Sequence, residues 1–210
     1  MESNEFVATP LHASFFSGIE GFDLAAEWMG WETALTCEIG NFQNEIIKKR
    51  FPNAKHYENI KDFNGLEWRG KIFLLTGGFP CQPFSVAGSR TGADDDRYLW
   101  PELCRVIDEI RPTWVIGENV DGILSMVQPG TPLEVGGQTT LFGQGDTIYE
   151  EQQQYITGII SSDLERIGYD IQPLLIPAAA VGAKHRRNRV WFVGHAKHDG
   201  LPTSAGTRRL

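Results

Sequence analysis

The chain predicts a doubly wound α/β fold with a mostly parallel sheet, and two observations carry that expectation. Short apolar runs at residues 11–16, 32–38, 72–75 and 114–117 alternate with stretches of helical periodicity. Strands separated by helix-length segments need crossover connections, which make neighbouring strands parallel and place helices on both faces.

Each element has its own signal. The first strand, residues 11–16, runs into Ser17-Gly18-Ile19-Glu20-Gly21. A helix over residues 22–29 follows, with Phe22, Ala25, Ala26 and Met29 on one face, and Gly30 closes it. The second strand, residues 32–38, ends on Glu38. Gly40 or Asn41 caps a helix that reaches Arg50 and stops at Phe51-Pro52. The apolar run 72–75 reads as a buried strand leading into Thr76-Gly77-Gly78-Phe79-Pro80-Cys81-Gln82-Pro83-Phe84-Ser85. Residues 87–97 are small, polar and charged, which suits a loop that closes over a substrate or a solvated surface loop. A helix is expected over residues 98–110, with Leu99, Leu103, Val106, Ile107 and Ile110 on one side. The strand 114–117 then delivers Glu118 and Asn119 at its end. Residues 127–146 change character, rich in Gly, Thr and Gln, and Gly136-Gly137 reads as the centre of a hairpin in an inserted excursion. A helix over 150–167 and two late strands, 169–177 and 189–194, complete the chain.

Two candidate sites stand out. Cys81 sits between Pro80 and Pro83, just past two glycines and a buried strand. Glycine frees the backbone and proline stiffens it, so the cysteine is held where open α/β sheets bind ligands. Glu118 shares that sheet edge, and two reactive groups at two such strand ends point to one site. The turn between Gly18 and Gly21 lacks the third glycine of a dinucleotide fingerprint, and Glu20 intrudes. With Glu38 twenty residues after Gly18, it suits a nucleoside cofactor whose ribose hydroxyls meet a carboxylate.

Composition limits the function. At 210 residues the chain suits one well-buried domain, and 41% hydrophobic and 22% charged content is ordinary for a globular protein. No apolar run approaches a membrane span, and Met1-Glu2-Ser3-Asn4-Glu5 lacks a basic and then apolar signal, so a cytoplasmic protein is expected. Cys37, Cys81 and Cys104 have no metal-ligand spacing, no metal is expected, and the three read as thiols in a reducing compartment. The net charge of −8 argues against a broad sequence-independent nucleic-acid surface. One dense basic cluster, Lys184-His185-Arg186-Arg187-Asn188-Arg189, leaves room for a locally basic cleft.

Four motifs carry a family resemblance. Gly78-Phe79-Pro80-Cys81-Gln82-Pro83-Phe84-Ser85 resembles the catalytic-cysteine motif of the DNA cytosine-5 methyltransferases, and Glu118-Asn119-Val120 resembles their Glu-Asn-Val motif. Residues 14–22 resemble their cofactor loop, and Arg187-Asn188-Arg189 their paired-arginine motif, in the family's order. The resemblance covers about residues 10–196 and implies a Rossmann-like S-adenosylmethionine-dependent methyltransferase fold with a late antiparallel hairpin. It also implies one catalytic domain over residues 1–196, an insertion at 127–149, and a tail or the start of a target-recognition region at 197–210.

The resemblance further implies roles for residues. Cys81 would be the nucleophile, Glu118 the partner of cytosine N3, Arg189 the contact to O2, and Arg187 a support. Phe16, Gly18, Gly21, Glu38, Ile39, Asn59, Ile60, Gly78, Pro80 and Leu99 would surround S-adenosylmethionine, while Ser85, Asn119 and Val120 would meet a flipped cytosine in DNA. Three positions depart from the family pattern: Ser14 and Asn59 replace acidic residues, and His185 stands in place of a glutamine. Family members usually continue into a target-recognition region, so recognition is expected from a further C-terminal part or from a second chain carrying that region. Three further readings stay open: a non-catalytic remnant of the fold, a dinucleotide-dependent oxidoreductase and a methyltransferase acting on RNA.

Overall fold

A computed structural model of the chain describes residues 8–80, 98–128, 132–137, 147–151 and 154–197. In chain order the strands are β1 (Leu11–Phe15), β2 (Glu32–Cys37), β3 (Lys55–Tyr57), β4 (Leu74–Gly77), β5 (Trp114–Val120), β6 (Val127–Gln128), β7 (Pro132–Gly137), β8 (Thr147–Glu151), β9 (Gln154–Tyr155), β10 (Tyr169–Pro177) and β11 (Asn188–Ala196). The helices are α1 (Gly21–Trp28), α2 (Asn41–Arg50), α3 (Trp100–Ile110) and α4 (Ile156–Arg166).

Seven strands form the main sheet in the order β10-β11-β5-β4-β1-β2-β3. The pairs β3–β2, β2–β1, β1–β4 and β4–β5 are parallel, whereas β11 runs antiparallel to both β5 and β10. This is the doubly wound sheet with a late antiparallel hairpin that the sequence predicts. The order reverses at β1, with β4 on one side and β2 on the other, and ligands in such sheets bind at that switch point.

The sheet's two faces differ in chemistry. Parallel register places Ala13 with Leu35 and Leu75, and Phe15 with Cys37. Those side chains are buried in the main hydrophobic cluster with Leu103, Val106, Ile107 and Ile110 of α3 and Ile156, Ile160 and Leu164 of α4. The other face, under α1, carries His12, Ser14, Thr33, Thr36 and Thr76, all buried. One face packs as oil and the other as a polar layer.

Beyond shifts of one or two residues at other element ends, four differences from the sequence reading stand out. β4 starts two residues late, at Leu74, although Ile72 is itself buried. β5 continues through Val120, so Glu118 and Asn119 lie within the strand, fixed by pairing to β11. Gly136 and Gly137 are not a turn: they pair with Ile148 and Thr147 in a separate β7–β8 ribbon. The expected helix over 150–167 starts only at Ile156, because the preceding residues are taken up by β8 and β9. α1 also turns a different face inward. Asp23 and Ala26 are buried while Met29 is 64% exposed, because Asp23 finds a partner in β1.

Candidate active site

Two strand ends and one loop build the first half of the site. β1 ends at Phe15, and Phe16 takes a left-handed conformation with φ 55° while its N–H donates to the Cys37 carbonyl at 2.8 Å. Gly18 is left-handed too, φ 56°, the conformation glycine adopts without a Cβ clash. Its N–H donates to Glu38 Oε2 at 2.9 Å, and Gly40 N–H donates to Oε1 at 2.8 Å. Glu38 is thus oriented by two backbone donors, one from the turn after β1 and one from the start of α2. Each carboxylate oxygen keeps a further acceptor direction. Ile39 beside it is 74% exposed. An open glycine turn, an oriented carboxylate and an exposed apolar side chain fit an adenosine whose ribose hydroxyls donate to Glu38 and whose base lies on Ile39.

Four further residues expected around the cofactor have these surroundings. Ile60 is buried at 4% exposure, and its carbonyl accepts from Arg105. Asn59 caps a 3₁₀ turn, its Oδ1 accepting from Lys61 N–H at 3.1 Å. Leu99 packs partly buried against the core, and Gly21 opens α1 on the exposed side.

The second half is built on β5, β11 and the root of the cysteine loop. Antiparallel register sets Trp191 opposite Glu118 and Arg189 opposite Val120, so Arg189 is the diagonal neighbour of Glu118 on one face. Arg189 Nε lies 2.6 Å from Glu118 Oε1. The backbone of Gly78 passes close to the same carboxyl: a Cβ there would stand 3.3 Å from Glu118 Oε2. Asn119 points to the opposite face, is buried, and donates from Nδ2 to the Phe79 carbonyl at 2.9 Å. Its Oδ1 accepts from Val120 N–H at 2.9 Å. Phe79 itself is buried against Trp100 and Phe192. Glu118 and the segment Gly78-Phe79-Pro80 are therefore fixed together, by Asn119 behind and by close backbone approach in front. Arg187 is exposed, with φ 31°, on the turn before β11. Cys81 and Ser85, like the loop 87–97, lie outside the described residues.

Sequence reading missed a third group. Asp23, fully buried, accepts from Ser14 Oγ at 3.0 Å, so the residue that breaks the family pattern is paired with a carboxylate from α1. Glu20 caps α1 in a left-handed conformation, φ 74°, and is 1% exposed. Its nearest cation is Arg50, Nε to Oε2 3.4 Å, and burial pushes its carboxyl above the usual range, with Arg50 opposing. The intrusion of Glu20 in the glycine turn was visible in the sequence; its burial was not.

The chain is similar to known proteins in sequence and in fold. The profile of the C-5 cytosine-specific DNA methylase family matches residues 12–132. The type II methyltransferase M.NgoMIV of Neisseria gonorrhoeae is 31% identical over 178 residues, 84% of this chain and 49% of that protein. A DNA N-6-adenine-methyltransferase of Escherichia phage P1 is 29% identical over 90% of this chain and 29% of its own length. Among solved structures, a Spodoptera frugiperda DNMT2 mutant superposes with a TM-score of 0.65 at 18% identity, over 96% of this chain and 55% of that one. The chain spans between 26% and 49% of the length of the curated relatives it matches. It belongs to the C-5 cytosine-specific DNA methylase family.

Proposed function

We propose that this chain carries the methyl-transfer site of a DNA cytosine-5 methyltransferase, with Cys81 as nucleophile and Glu118 as its acid partner. The observation that carries the reading is the joint fixing of Glu118 and of the loop root Gly78-Phe79-Pro80, which leads into Cys81, through Asn119 and the close backbone approach.

Cytosine C5 is a poor nucleophile and needs activation. The Cys81 thiolate adds to C6, which gives C5 enamine character. Glu118, hydrogen-bonded at N3, relieves the charge that builds on the ring. Arg189, held against Glu118, orients that carboxyl and reaches toward the base's O2. After methyl transfer the C5 proton leaves and the thiol is eliminated. The base is reached only when flipped out of the duplex, with Val120, 43% exposed, and Ser85 beside it.

S-adenosylmethionine supplies the methyl group. The Gly18 turn would let its methionine end approach the backbone, Glu38 would hold the ribose and Ile39 the adenine. Asn59, its Oδ1 already engaged by Lys61, would offer the adenine a donor and no carboxylate. Sequence-specific readout of duplex DNA draws on a surface or partner beyond these residues, a reading supported by the net charge of −8.

The test is covalent trapping. An oligonucleotide containing 5-fluorocytosine, incubated with S-adenosylmethionine, should form a denaturation-resistant adduct that Cys81→Ser abolishes while cofactor binding persists. Equal adduct yield from the variant would remove Cys81 from the mechanism.

A further inference from the structure

α1 has little apolar means of holding its place. Ala26 is its one fully buried apolar residue, and Phe22 adds an edge-on contact with Trp191 at 5.8 Å between centroids. Beneath it lies a polar chain of two hydrogen-bonded pieces, which meet where His12 faces Asp23. His12 Nε2 is 2.8 Å from Thr76 Oγ1, and Nδ1 is 3.2 Å from Thr33 Oγ1 and 3.8 Å from Asp23 Oδ1. Asp23 Oδ2 accepts from Ser14 Oγ, and Ser17 Oγ donates to the Ser14 carbonyl at 3.2 Å. Every residue of the chain is buried. A neutral imidazole carrying its proton on Nδ1 donates to Thr33 and accepts at Nε2 from Thr76, and it faces Asp23 Oδ1 from beyond hydrogen-bond distance. The charged groups facing Asp23 are Glu20 and Arg50.

The two ends of this chain lie at the two halves of the site. Asp23 belongs to the first turn of α1, directly after the turn at Gly18. Thr76 lies on β4, two residues before Gly78 and five before Cys81. Apolar side chains would fill the same space, yet they would fix neither the rotation of α1 nor its height above β4. The Ser14–Asp23 hydrogen bond fixes the rotation of α1 over β1, the His12–Thr76 contact joins β1 to β4, and the His12–Asp23 approach brings the two together.

We propose that His12 and Asp23 are positioning residues: with Ser14 and Thr76 they form a buried polar tie that locks α1 and its cofactor turn to the strand from which the cysteine loop departs. The inference rests on the reading of the Gly18 turn as a cofactor site. The tie gives the two halves a common reference, so a displacement of β4 is felt at the cofactor turn.

Thr76→Val and Ser14→Ala each remove one hydroxyl at an end of the tie with little change in shape. Amide hydrogen exchange would follow Leu24 and Ala25 of α1, and calorimetry with S-adenosylhomocysteine would follow the cofactor turn. In Thr76→Val, one strand away, the α1 amides should exchange about tenfold faster, the factor that loss of one well-made hydrogen bond produces. Affinity for S-adenosylhomocysteine should fall by about the same factor, and Thr76→Ser should restore both. The double variant should be no worse than the more affected single one, because the two cut a single chain. Unchanged α1 exchange in Thr76→Val, or losses that multiply in the double variant, would overturn the tie. If the wild-type chain does not bind S-adenosylhomocysteine, the functional reading fails, and the exchange comparison alone decides the tie.

Discussion

Glu118 has two neighbours that bear on its chemistry, Arg189 at 2.6 Å and the backbone of Gly78. Replacing it with Gln keeps the shape but removes the proton that the proposed contact with N3 requires. Glu118→Gln should slow methyl transfer by roughly a hundredfold or more, the usual scale for loss of acid–base help, with little change in folding. Transfer at the wild-type rate would make the carboxyl structural. His12 and Asp23 permit a sharper test. Burial raises the Asp23 carboxyl from 3.8 to about 6, so its contribution to stability falls as pH rises from about 4 to 6. Burial lowers the His12 imidazole from 6.5 to about 4, so its contribution is lost as pH falls from 6.5 toward 4. Each effect is worth about 3 kcal/mol, because a tenfold change in proton affinity corresponds to about 1.4 kcal/mol. Between pH 4 and 6 their slopes oppose: one proton sits on the imidazole in the unfolded chain and on the carboxyl in the folded one. Urea unfolding of Asp23→Asn, relative to wild type, should therefore gain stability with rising pH in that window, and His12→Gln should lose it. Parallel curves for all three proteins would show that the pair does not exchange a proton on folding. None of this was legible in the sequence. Helical periodicity counts apolar residues, and Asp23 is buried because of Ser14 on another element, a partner that no local pattern reveals.

The elements themselves were largely legible. β10 runs over 169–177 as expected, α2 starts after Gly40 and ends at Arg50, and Arg111 in a left-handed conformation stops α3 before Pro112. These positions carry strong local signals: a glycine cap, a proline, an uninterrupted apolar stripe. The Gly136-Gly137 misreading shows the limit. Two adjacent glycines are turn chemistry in isolation, yet pairing with Ile148 and Thr147 made them strand, and such pairing is non-local. The site followed the same rule. Glu118 and Cys81 could be assigned to neighbouring strand ends, whereas the contact of Asn119 with the Phe79 carbonyl across forty residues could not. Burial within elements also bears on two of the three thiols. Cys37 in β2 and Cys104 in α3 are buried, and loss of hydration pushes their thiols up to about 12 and about 11. Alkylation of the native chain at neutral pH with iodoacetamide should therefore leave Cys37 and Cys104 unmodified. Labelling of Cys37 or Cys104 would mean that β2 or α3 opens readily. Replacing either buried cysteine with Ala should cost stability only, about 1–2 kcal/mol for a small buried side chain.

At the scale of the whole molecule, charge and topology place the same demand on DNA binding. The net charge is −8, and the one dense cluster of cations precedes β11, the strand that carries Arg189 to Glu118. Within it Lys184, Arg186 and Arg187 are exposed, and Arg189 is engaged by Glu118. Three exposed cations neutralise about three phosphates, which predicts a slope near −3 for log affinity against log salt, at ~0.9 per phosphate. Proteins that hold duplex DNA firmly make roughly twice as many such contacts or more. On the proposed function the cluster would orient a phosphate backbone beside the base without gripping a duplex, and the Glu38 turn would bind its cofactor independently of DNA. The 210-residue chain should accordingly bind S-adenosylhomocysteine, bind duplex DNA weakly with that shallow salt slope, and methylate it slowly without sequence preference. Changing Lys184, Arg186 and Arg187 together to Ala should flatten the slope toward zero and leave cofactor affinity unchanged. Labelled S-adenosylmethionine, a random-sequence duplex and mapping of methylated cytosines measure all of this in one preparation. Fast methylation confined to one short sequence, or a slope steeper than about −6, would place sequence readout on these residues and overturn the division between chemistry here and recognition elsewhere.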